Sequence, residues 1–128
     1  MPREAIWYLE NAREILRKAP IEDNTYTDIK PVQEACNTAY LAILKAIDEY
    51  LINKGVGPED LPQSIDGYRE MIKKYLSIHN GKLIKDFNSL FNLLHVAGYY
   101  RGLLDRVEVI KDTFKIAKSF IEKVSPES

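Results

Sequence analysis

Cysteine is nearly absent: Cys36 stands alone in 128 residues. A lone thiol can neither close an intrachain disulfide nor supply a thiolate metal cluster. A chain without crosslinks fits a reducing cytoplasm. Histidine is almost as scarce, with His79 and His95 only. Neither belongs to a Glu-x-x-His pair, so the di-metal core of ferritin-like bundles is not expected. We expect neither metal nor cofactor. The glycine-rich phosphate loops of the P-loop and dinucleotide types are missing, and so is a G-x-S-x-G nucleophile turn. No apolar run approaches the roughly 20 residues that span a bilayer. The chain starts with Arg3 and Glu4 and moves into a periodic helix, not into the apolar core of a signal peptide. Charge of one sign is not in excess either: 18 basic residues face 19 acidic ones, for a net charge of −1. That balance argues against broad binding to a phosphate backbone, although a local basic patch stays open. These absences imply a cytoplasmic protein that does not enter the membrane.

What the chain does have is apolar periodicity. Hydrophobic residues make up 45% of it, and a chain of this length can bury roughly two-thirds of its unfolded surface. One domain spanning 1–128 is therefore expected. In a first helix, about 2–19, Ala5, Leu9, Ala12, Leu16 and Ala19 recur three and four apart; Pro2 suits its first position and Pro20 stops it. Trp7 lies opposite this stripe, at a helix edge or an interface. Residues 20–27 read as a loop. A second helix, capped by Thr27 or Asp28, runs to about Lys54 and carries two stripes. Val32, Cys36, Tyr40, Ile43, Ile47 and Tyr50 form the large one. Ala35, Ala39, Ala42 and Ala46 form a small-residue stripe that lets helix axes approach. A helix apolar over most of its circumference is buried, so this one is central. Ser64 caps a third helix that ends at Asn80-Gly81. A fourth begins near Lys82 and breaks or kinks between Gly98 and Gly102. A fifth, from Leu104 or Asp105 to about Val124, has a heptad seam of Val107, Ile110, Phe114, Ala117, Ile121 and Val124; Pro126 lies in its tail. No period-two strand pattern appears. The expected fold is all-α, an antiparallel bundle of four to five helices.

One polar line stands out. At roughly 100° per residue, Asn88, Asn92, His95 and Tyr99 project along one side of the fourth helix, beside its apolar face. Tyr100 and Arg101 follow. A neutral histidine can take or give a proton near pH 7. Asparagine and tyrosine can orient a ligand, and an arginine can stabilise a developing anion. His95, Tyr99 and Arg101 are thus the catalytic candidates, and Asn88, Asn92, His95, Tyr99 and Tyr100 the binding candidates. Structural hydrogen bonding between helices is the commoner role for such a histidine. The Tyr99-Tyr100 pair could stack on a base or a partner, or cap the bundle. On the second helix, Asn37 and Asp48 share a polar side that reads as a solvated face.

The segments YLENAREIL, ACNTAYLAILKAIDEYL, SIDGYREMI and FNSLFNLLHVAGYY resemble a small bacterial family of uncharacterised helical proteins. That family is similar to the HEPN superfamily, a bundle found in ribonuclease toxins and in partners of minimal nucleotidyltransferases. The resemblance implies a HEPN-like bundle and dimerisation by the long helices, with a nucleotidyltransferase as the kind of protein partner. HEPN ribonucleases carry an arginine, an adjacent polar residue and a histidine four to six residues later. Here His95 precedes Arg101 and Arg69 lies too far from His79, so ribonuclease activity is not implied.

Two functional readings follow. The first is a non-catalytic binding or assembly module, homodimeric, motivated by the missing catalytic constellation, the alanine face, and Trp7, Tyr99 and Tyr100. The alternative is a HEPN-like nucleotide-binding domain or metal-independent ribonuclease using His95.

Overall fold

The computed structural model describes residues 3–76 and 81–124. The expectations for Pro2, His79, Asn80 and Pro126 lie outside the described residues. Among the described residues the fold is an all-α bundle with five α-helices: α1 (Arg3–Arg17), α2 (Ile29–Asn53), α3 (Ile65–Tyr75), α4 (Lys82–Leu90) and α5 (Val107–Val124).

α2 is the hub. Both of its stripes are interior: Val32, Ala35, Cys36, Ala39, Ala42, Ile43, Ala46 and Ile47 are buried. It packs against α1, α3 and α5, and its contact with α1 is the most extensive in the molecule. Asp28 starts it by accepting a hydrogen bond from the Lys30 amide at 3.2 Å, which satisfies one of the donors a helix start leaves free. α1 buries Ala5, Leu9 and Ala12 completely. Its start is tied to the far part of α2: the Ala5 amide donates to Glu49 Oε1 at 3.3 Å, and Lys45 Nζ meets Glu4 at 3.3 Å. Ser64 caps α3 through a bond from the Gly67 amide at 3.0 Å. The expected seam of α5 is buried from Val107 to Val124, and Phe120 joins it.

Three features depart from expectation. The loop at 20–27 contains a small antiparallel hairpin, β1 (Ile21–Glu22) with β2 (Thr25–Tyr26). Two-residue strands are too short to show a period of two. The turn is made by Asp23 and Asn24, both left-handed with φ of 53° and 60°, a conformation these two side chains tolerate better than most. The hairpin clasps the start of α5 through Tyr26 N–H to Asp105 O at 2.7 Å and Val107 N–H to Asn24 O at 3.0 Å. Second, Asp48 is not on a solvated face. It is half-buried and accepts a bond from the Tyr68 hydroxyl at 2.9 Å.

Third, the irregularity in the fourth helix starts well before Gly98. α4 runs directly into a π-helix, Phe91–Tyr100, in which amides bond five residues back; the Arg101 amide closes the last such turn on Val96 O at 2.9 Å. Gly98 explains how closely this segment lies on α2. A Cβ there would sit 2.6 Å from Cys36 Sγ.

Candidate functional site

The π-helix reorganises the predicted polar line. In its wider turn, residues four apart share a face, while residues three apart no longer do. Phe91, His95 and Tyr99 consequently stack into a ladder, with ring centroids 5.4 Å apart between Phe91 and His95 and 5.9 Å between His95 and Tyr99. Asn92 is turned out to solvent. Tyr40 of α2 closes the ladder from the side, its ring centroid 4.9 Å from that of His95 and 5.9 Å from that of Phe91.

Arg69 reaches the same place from α3. Its guanidinium carbon lies 5.4 Å from the centre of the Phe91 ring, a cation–π distance. Its Nε donates to Asn88 Oδ1 at 2.7 Å, and its Nη1 pairs with Asp66 at 3.1 Å. Of the predicted residues, Asn88, His95 and Tyr99 thus belong to one cluster, Asn88 through Arg69. Asn92 does not belong to it. Tyr100 is 78% exposed, and Arg101 caps the π-helix at the surface, apart from the ladder contacts. Asn37 lines a surface hollow with Gln33, Tyr99 and Tyr100, and Gln33 Nε2 holds the Tyr99 carbonyl at 3.0 Å.

Sequence reasoning missed Arg69, Tyr40 and Phe91 as site residues. Arg69 had no signal, because only the packing of α3 brings it to Phe91 and Asn88. Tyr40 and Phe91 read as core-facing side chains; Tyr40 is buried and Phe91 is half-buried against the core.

Electrostatically the cluster is uneven. Burial pushes the Tyr40 hydroxyl up to about 12, against the pull of the Arg69 charge, so it stays a neutral donor. Burial likewise raises the Cys36 thiol to about 12, which removes it as a nucleophile. The Nδ1 atom of His95 is buried and has no hydrogen-bond partner. A buried polar atom left unpaired costs roughly 1–3 kcal/mol, so it is a place where an added donor or acceptor would be stabilising. Among the described residues no group of three or more His, Cys, Asp or Glu side chains could hold a metal ion, and no helix is long and apolar enough to cross a membrane.

An all-α bundle whose α4 opens into an aromatic ladder around a histidine defines the class of this protein. The chain belongs to the family described as a domain of unknown function, DUF5618, whose model matches residues 2–126. A solved structure of a protein of unknown function from Dyadobacter fermentans is similar to it, with 35% identity and a TM-score of 0.78. The match covers 96% of this chain and 92% of that one. No curated protein matches the chain.

Proposed function

We propose that the chain is a non-catalytic assembly module that pairs with a second copy of itself across the outer face of α2. The observation that carries this reading is a ridge between two hollows. Lys30, Glu34, Thr38 and Leu41 follow one another along the outer side of an otherwise buried helix. On one side lies a hollow of about 680 Å³ lined by Trp7, Tyr8, Ile15 and Pro31. On the other lies one of about 400 Å³ lined by Gln33, Asn37, Tyr99 and Tyr100. Glu34 borders both. Trp7 is 60% exposed, a cost that burial in a partner removes, and tryptophan and tyrosine are the residues that most often anchor interfaces. A two-fold contact uses the same patch twice and must be self-complementary. A ridge that carries both signs of charge and is flanked by hollows is the kind of surface that can meet that requirement.

Sedimentation equilibrium tests the reading. The wild-type chain should be dimeric at micromolar concentration, and Leu41→Glu, at an exposed position, should make it monomeric with its circular dichroism unchanged. A wild-type chain that stays monomeric overturns it.

A second reading is favoured by the unpaired Nδ1 of His95 in a ladder whose Phe91 ring also carries the Arg69 guanidinium. In it the cluster binds a nucleotide or cleaves RNA without a metal, as a HEPN-like domain would. His95 is then the acid–base, and Arg69 and Tyr99 lie on the phosphate side. What supports it is an arginine and a histidine, distant in sequence, that both pack against the Phe91 ring. His95→Ala should abolish nucleotide binding or RNA cleavage with little loss of melting temperature. Unfolding of that variant would make the histidine a packing residue.

A further inference from the structure

A third hollow, unrelated to the α2 face, lies where the hairpin bridges α1 and α5. Its volume is about 410 Å³. Leu16 of α1, Tyr26 of the hairpin and Ile110 and Phe114 of α5 line its floor, and Ile21, 55% exposed, forms a lip. The rim is basic: Arg13 and Arg17, one turn apart on α1, and Lys111 and Lys115, one turn apart on α5. Arg13 pairs with Glu10 and Arg17 with Glu14. Among the described residues neither lysine is in a salt bridge. Four cations less two carboxylates leave two positive charges around an apolar trough, in a chain whose net charge is −1.

We infer that this trough binds a single-chain anionic amphiphile, a free fatty carboxylate, with its alkyl chain on the Leu16–Phe114 floor and its headgroup at the lysine–arginine rim. The volume is at the low end of small-molecule pockets, roughly 300–1,000 Å³. The excess charge suits a monoanion, and a guanidinium presents paired donors that match a carboxylate. The apolar floor supplies what a small anion such as acetate could not use.

Isothermal titration calorimetry of the whole chain decides the matter, with monomeric decanoate as the probe. Decanoate should bind one per chain. Octanoate should bind more weakly, by up to about fourfold for each methylene removed, and decyltrimethylammonium should not bind. Reversing both lysines (Lys111→Glu with Lys115→Glu) should weaken decanoate at least tenfold, because both are exposed and outside the core. If that double variant does not fold, the milder pair Lys111→Gln with Lys115→Gln makes the same test. Equal binding of the cationic amphiphile, indifference to chain length, or unchanged affinity in the lysine variants would overturn the inference. Capture by phosphatidylglycerol vesicles without uptake of monomeric decanoate would overturn it too, and would mark a membrane-facing patch instead.

Discussion

At Gly98 the π-helix lies close against α2. A methyl group there would meet Cys36 Sγ at 2.6 Å, Cys36 Cβ at 2.8 Å and the Leu93 carbonyl at 2.9 Å. Two of these three atoms cannot swing aside, because one is backbone and one is anchored to it. Gly98→Ala should therefore destabilise the chain by about 1–3 kcal/mol, the usual cost of overpacking, and Cys36→Ala should recover only part of the loss, as read by urea denaturation. Asp48 carries a different kind of prediction. Burial raises its carboxyl above the ordinary 3.8, opposed by the Tyr68 hydrogen bond and by Lys45. The folded chain then holds this proton more tightly than the unfolded one. Its contribution favours folding below 3.8 and is lost as pH rises through the higher folded value. Glu49 is raised in the same sense, also by burial. Denaturation midpoints between pH 7 and pH 4 should thus rise less steeply on acidification in Asp48→Asn than in the wild type, and an identical slope would show that Asp48 ionises as freely folded as unfolded.

At the level of elements, capping chemistry was the most legible part of the chain. Ser64 and Asp28 cap the helices their residue types announced. Ser64→Ala should lower stability by about 1 kcal/mol, and α3 is the element that delivers Arg69, so the Arg69 Nε–H resonance should shift in the same variant. The long stripes of α2 and α5 were legible for the same reason: many buried positions repeat one period. The candidate site was legible only in part. His95, Tyr99 and Asn88 were singled out because they lie on one continuous helical run. The helical period then misplaced Asn92, because nothing in FNLLHVAGYY announces a change from four-residue to five-residue hydrogen bonding. Arg69 and Tyr40 come from other elements, and periodicity along one helix carries no record of what packs across it. The hairpin escaped because its order resides in two backbone angles at Asp23 and Asn24.

For the molecule as a whole, the proposed pairing across α2 predicts a thermodynamic signature independent of sedimentation. A dimer that binds only folded chains makes melting depend on concentration. The apparent Tm of the wild-type chain should climb as protein concentration is raised, and that of Leu41→Glu should not. Inside one copy, the bond between Glu49 and the Ala5 amide spans 44 residues. A short helix is marginal on its own in water, and this one has a first-turn donor met by a carboxylate from the last third of its neighbour. Because α1 precedes α2 along the chain yet makes its most extensive packing against it, its docking surface exists on the ribosome only once the long central helix has emerged.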